Sequence, residues 1–183
     1  NNPYGDFDSE VILRSNMEFL VHKFNWIYYI LFIYLRYNQF NEVERLLFEL
    51  KNFKSSLNHL IDENIQIINE NGANDIYNDE LSDIKFKYIE ALIISSSFKH
   101  DFISDALLAI YDLSDSELDT VWYTNRKQTL LIKAMSQLYE IDFTIKQKKN
   151  KFSIFIGSVP IDFKTELEKI ESKYIQGQII LNG

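Results

Sequence analysis

The chain has 183 residues, a formal charge of −8, 46% apolar and 15% aromatic residues, five glycines, two prolines and no cysteine. This is enough chain for one domain, or one domain and a small appendage, with a buried core; it excludes a disulfide framework and a thiolate metal site, and so few Gly and Pro disfavour a loop-rich β sandwich. No run reads as a signal peptide or a membrane span, so the expectation is no membrane partner and a cytoplasmic location, with Asn1 in place of Met leaving room for a removed upstream segment.

Residues 1–8 read as an irregular lead-in. Ser9 or Ser15 is the expected cap of a first helix reaching about Tyr37, and Ser15 with Glu18 has capping-box spacing. Within that helix Phe24–Leu35 carries no charge and places apolar groups at every helical angle, which predicts a central helix wrapped by others. Asn41, with Glu44 three residues on, is the expected cap of the second helix. There Val43, Leu46, Leu50, Phe53, Leu57 and Leu60 recur in three- and four-residue steps and line one seam. The seam serves intramolecular packing or a dimer zipper, so the chain is a monomer or a homodimer. The first two helices should form a long hairpin.

Asn69–Asn78 has the longest run of turn formers and predicts a loop. A third helix follows over about Asp79–Ser97 and a fourth over Phe102–Tyr111, capped by Asp101. Ser114 and Glu117 open a fifth that runs to about Tyr139. The period then changes to two. Ile141, Phe143 and Ile145 predict one strand, and Phe152, Ile154 and Ile156 a returning one that Pro160 breaks. Phe163, Leu167, Ile170 and Tyr174 stripe a short helix stopped by Gly177, and Gln178–Leu181 predicts a last strand. The expected fold is mainly α: an irregular bundle of about five helices with a long N-terminal hairpin over 1–140, and a small β-β-α-β element over 141–183.

Reactive signatures are missing. The glycines never cluster into a phosphate-binding loop, and no Ser stands in a Gly-x-Ser-x-Gly elbow. The histidines lie at 22, 59 and 100, without partners at metal-site spacings. No catalytic residue, cofactor or resident metal is therefore expected. Charge is the stronger signal. Residues 62–119 hold fourteen acidic against three basic side chains, and 120–183 hold six against ten. An acidic field repels nucleic acid and attracts basic proteins. Asp79, Glu80, Asp83, Asp101, Asp105, Asp112, Asp115, Glu117 and Asp119 are the candidate contacts of an acidic face. The expected function is a non-catalytic protein-binding domain that engages a basic protein, as immunity and antitoxin inhibitors do. Lys146, Lys148, Lys149 and Lys151 form a basic hairpin tip, read as lysines blunting an edge strand, the alternative being a contact for phosphate or an acidic partner.

Two local resemblances imply other functions. His100-Asp101 resembles the doublet of metal-dependent HD-type phosphohydrolases, which implies a metal held by His59, His100 and Asp101 with a further Asp from 112, 119 or 142. Phe102-Ile103-Ser104 follow the doublet where those enzymes carry small residues, and Asp101 equally reads as a helix cap. Asn38–Val43 resembles the turn of a tetratricopeptide-type hairpin, and Lys99–Ala106 is a looser copy about sixty residues on, not at that family's spacing of about 34. This resemblance implies a helical scaffold that binds a peptide between paired helices.

Overall fold

A computed structural model describes residues 5–113, 121–139, 144–148, 151–156 and 159–161. Among these are six α-helices: α1 (Gly5–Arg36), α2 (Val43–Glu63), α3 (Ile65–Glu70), α4 (Asn74–Ser95), α5 (Phe102–Tyr111) and α6 (Val121–Tyr139). The protein is mainly helical, as the apolar periods predict. No helix of the described residues is long and apolar enough to cross a membrane.

Helix ends are set by backbone geometry more than by side-chain caps. Asn38 adopts φ +56° after α1, and Gln39 N–H donates to Tyr34 O at 2.9 Å while Asn38 N–H donates to Leu35 O at 3.2 Å. This is a Schellman closure, with Asn tolerated in the left-handed position. Gly72, at φ +62°, closes α3 in the same way: Ala73 N–H donates to Ile68 O at 3.0 Å and Gly72 N–H to Asn69 O at 3.1 Å. The expected ten-residue loop over 69–78 is thus a three-residue turn, and α4 begins at Asn74. Ala73 and Tyr77, one helical turn apart, are both buried and draw that segment into the core.

The expected caps fail for related reasons. Ser9 and Ser15 lie inside α1, which begins at Gly5. Asn41 sits in a single 3₁₀ turn, Phe40–Glu42, and Glu42 stands at the cap of α2 without a side-chain capping bond. Asp101 does occupy the cap position of α5, but with helical φ −56° and ψ −26° and no capping bond.

The α2 seam packs inside the chain. Val43, Leu46, Leu50 and Leu57 are buried and Phe53 and Leu60 partly so, joined by Leu47 and Ile61. Asn64, standing where the next seam residue was due, ends α2 and donates through Nδ2 to Leu60 O at 2.8 Å.

The central helix is α4, not α1. It packs against α1, α2, α5 and α6, and buries eleven of its residues, among them Tyr77, Phe86, Ile89 and Leu92. By contrast Trp26, Tyr29 and Ile33, within the stretch expected to be wrapped, are 70%, 63% and 57% exposed.

Helix neighbours alternate: α1 with α2, α2 with α4, α4 with α5, α5 with α6, and α4 also with α1 and α6. Side-chain registers give the direction. Asn25 meets Lys87 and Tyr28 meets Glu90, while Arg126 meets Asp83 and Lys133 meets Glu90. Residue numbers rise together in both pairs, so α1, α4 and α6 run parallel, with α1 and α6 flanking one side of α4. Lys99, just past the end of α4, pairs with Glu44 at the start of α2, so α2 is a return helix, and α5 turns back on α4 after the link 96–101.

Beyond α6, Thr144–Lys148, Lys151–Ile156 and Val159–Ile161 form three antiparallel strands, β1 to β3, in the order β1-β2-β3. Lys148 registers with Lys151 and Lys146 with Ser153. Pro160 lies on edge strand β3, where a missing N–H is tolerated. The expected helix over 163–174 and the strand over 178–181 fall outside the described residues, as do Ser114 and Glu117.

A truncation in the α2 seam should be costly. Leu50→Ala should lower unfolding free energy by about 2–5 kcal/mol in chemical denaturation. Gly72→Ala, with open space around its Cβ but a left-handed backbone, should cost about 1 kcal/mol.

Candidate functional site

Asp83, Lys87 and Glu90 are spaced i, i+4, i+7 and so line one side of α4, the side between α1 and α6. From α1, Asn25 Oδ1 accepts from Lys87 Nζ at 2.9 Å, and Tyr28 Oη donates to Glu90 Oε2 at 3.5 Å. From α6, Arg126 reaches Asp83 at 3.5 Å and Lys133 reaches Glu90 at 3.9 Å. Lys87 also pairs with Asp83 at 2.9 Å, and the Arg126 guanidinium lies 5.2 Å from the Phe86 ring centre. The result is a charged ladder across three parallel helices. Its side chains keep 21% to 52% of their surface, so the ladder is reachable from solvent.

Burial, seconded by the Glu90 carboxylate, pushes the Tyr28 hydroxyl up to about 12. Sequence reasoning found Asp83 but missed the rest. The signal was the charged i, i+4, i+7 set threaded through the run 81–93, most of whose residues are buried.

The described members of the acidic set are spread over α4 and α5. Asp83 is bound up in the ladder. Asp79 and Glu80 stand near the start of α4, roughly 24 Å along that helix from Ser95, beyond which Asp101 lies. Asp101, Asp105 and Asp112 are exposed on α5 and its ends. Burial raises the Asp105 carboxyl, opposed chiefly by Lys51, and Lys54, lowered by burial and by Lys85 and Lys51, feels Asp112. Lys51 and Lys54 of α2 therefore feel the charges of Asp105 and Asp112 on and after α5. Asp115, Glu117 and Asp119 lie outside the described residues, as does Lys149.

The HD-type ligands are not assembled. His59 Nε2 pairs with Glu63 Oε1 at 2.9 Å near the end of α2, on the rim of a cleft of about 330 Å³ floored by Phe19, Leu20 and Leu60. His100 follows Lys99, which pairs with Glu44 at the opposite end of α2, roughly 22 Å along the helix from His59. Among the described residues no group of three or more His, Asp or Glu is placed to hold a metal.

The two tetratricopeptide-like turns do meet. Phe40 stacks on Phe98 with ring centres 4.6 Å apart, Phe98 packs edge-on to Phe102 at 5.7 Å, and the Lys99–Glu44 pair joins the same turns.

The raised Tyr28 hydroxyl gives a sign to alkaline behaviour. A folded-state value above the unfolded 10 means that its contribution is whole below pH 10 and lost as pH rises toward 12. Tyr28→Phe should flatten the decline in stability over that window, and tyrosinate absorbance should show one fewer late-titrating ring. Comparison with known proteins finds no family model, no curated protein and no solved structure that matches this chain.

Proposed function

We propose that the protein is a helical scaffold that binds a peptide segment of a partner protein across the face formed by α1, α4 and α6. The observation behind this reading is the ladder itself. Half-exposed ion pairs each contribute about 0–1 kcal/mol to folding, and apolar residues would seal the same helix contacts at least as well. A central helix that keeps Asp83, Lys87 and Glu90 there, with Tyr28, Arg126 and Lys133 beside them, presents donors and acceptors in rows that a peptide backbone or side chain can take over. Alternation of outgoing and returning helices, with aromatic-stacked turns at one end, is the architecture that paired-helix scaffolds use to build such a face.

A second reading keeps the basic partner. Asp101, Asp105 and Asp112 are exposed and make no ion pair within 4 Å among the described residues, so a cationic protein could bind along α5.

Selection from a displayed random-peptide library separates the readings. Binders should emerge whose affinity falls about tenfold or more in Lys87→Glu or Lys133→Glu, a loss of about 1.4 kcal/mol or more. Their affinity should be unchanged in Asp101→Asn/Asp105→Asn. Binders that are uniformly lysine-rich, salt-sensitive and lost only in the α5 variant would transfer the function to α5. A selection with no binders sensitive to either change would defeat both.

A further inference from the structure

α1 carries two seams on different sides. Leu13, Met17, Leu20, Phe24, Ile27 and Leu31 alternate by four and three and pack into the core. Ile12, Phe19, Trp26 and Ile33 recur every seven residues, with Tyr29 three beyond Trp26, and point outward at 57% to 70% exposure. A strict seven-residue stripe on a long helix is the pattern of a helix that packs along another. Stacked helical arrays need a polar outer face on their terminal helix to remain single, and on α1 this stripe interrupts the polar residues of that face.

We propose that this outer face of α1 is a self-association surface on which the α1 of a second copy docks in parallel. A sevenfold-spaced stripe matches its own copy in register, and the flanking charges choose the direction. Glu18 precedes Phe19 and Lys23 follows it by four, so in a parallel pair each Glu18 faces the partner copy's residue five positions on, which is Lys23. Two such pairs form per dimer. An antiparallel pair centred on the stripe sets Lys23 against Lys23 instead. Among the described residues neither Glu18 nor Lys23 makes an ion pair, and Lys23 Nζ already lies 5.7 Å from the Phe19 ring centre, alongside the seam. Ser15, His22 and Arg36 take the intervening seam positions, so the contact is narrow and dimerisation depends on concentration. A lipid surface fits less well. α1 holds Asp6, Asp8, Glu10 and Glu18 against Arg14, Lys23 and Arg36, and the whole chain carries −8, whereas interfacial helices flank their apolar face with Lys and Arg. This surface is separate from the α1/α4/α6 face, so either can fail alone.

Sedimentation velocity on the full chain tests the proposal. The wild type should pass from monomer to dimer across the micromolar range, and Trp26→Glu should remain monomeric with unchanged helical circular dichroism. Glu18→Lys and Lys23→Glu should each weaken the dimer by about tenfold, the worth of two exposed ion pairs turned repulsive. An equimolar mixture of these two variants should restore it. Because the chain has no cysteine, Ile12→Cys should oxidise to a crosslinked dimer much faster than Asn58→Cys, an exposed site on α2. A wild type that is monomeric throughout, a mixture that fails to restore the dimer, or equal crosslinking at the two sites would overturn the proposal. Trp26-dependent flotation of a monomeric wild type with phosphatidylcholine/phosphatidylserine vesicles would overturn it too, and assign the stripe to lipid.

Discussion

The described helices are arranged around the burial of α4. A helix that packs on α2 and α5 behind and on α1 and α6 at its sides has little circumference left for water. Three of its charged side chains, Asp83, Lys87 and Glu90, lie in the strip between α1 and α6. They cannot be left unpaired in a half-buried place, so the flanking helices must supply partners of opposite sign or hydrogen-bonding capacity at matching heights. Asn25, Tyr28, Arg126 and Lys133 meet that requirement. The need to match heights fixes three helices parallel and in register. The polar strip thus belongs to the same constraint that shapes the core.

Much of the architecture was legible in the primary structure. The α2 seam was visible because its apolar residues face one way only, and the end of α1 because Asn38-Gln39 interrupts an unbroken helical run. The central helix was misassigned for an instructive reason. Two apolar seams on different sides of α1 add up to a helix that looks greasy all round, whereas α4 shows charges at 83, 87 and 90 and so looks amphipathic. Mean apolarity does not distinguish a wrapped helix from one with two separate contact faces. Spacing does: the sets 12, 19, 26, 33 and 13, 17, 20, 24, 27, 31 can be told apart once each is followed by itself.

The candidate site was harder to read, because it is made by pairing across α1, α4 and α6. A carboxylate count over 62–119 gives a sign of charge but not a location, and Asp83 shows why. It belongs to the acidic set by sequence and is held by Lys87 and Arg126 in space. The turn over 69–78 was missed because Asn and Gly are as well suited to closing a helix in three residues as to forming a long loop. Two buried residues, Ala73 and Tyr77, decided between those outcomes.

The alternation of helices has a consequence for how such a chain is built and rebuilt. Because its hairpins close through short turns, little chain entropy is lost before the first contacts reward it, and assembly can begin at either hairpin and spread. A gene encoding this pattern can also gain an outgoing-and-returning helix pair on the outer side of α1 without displacing α1 or α2 from α4.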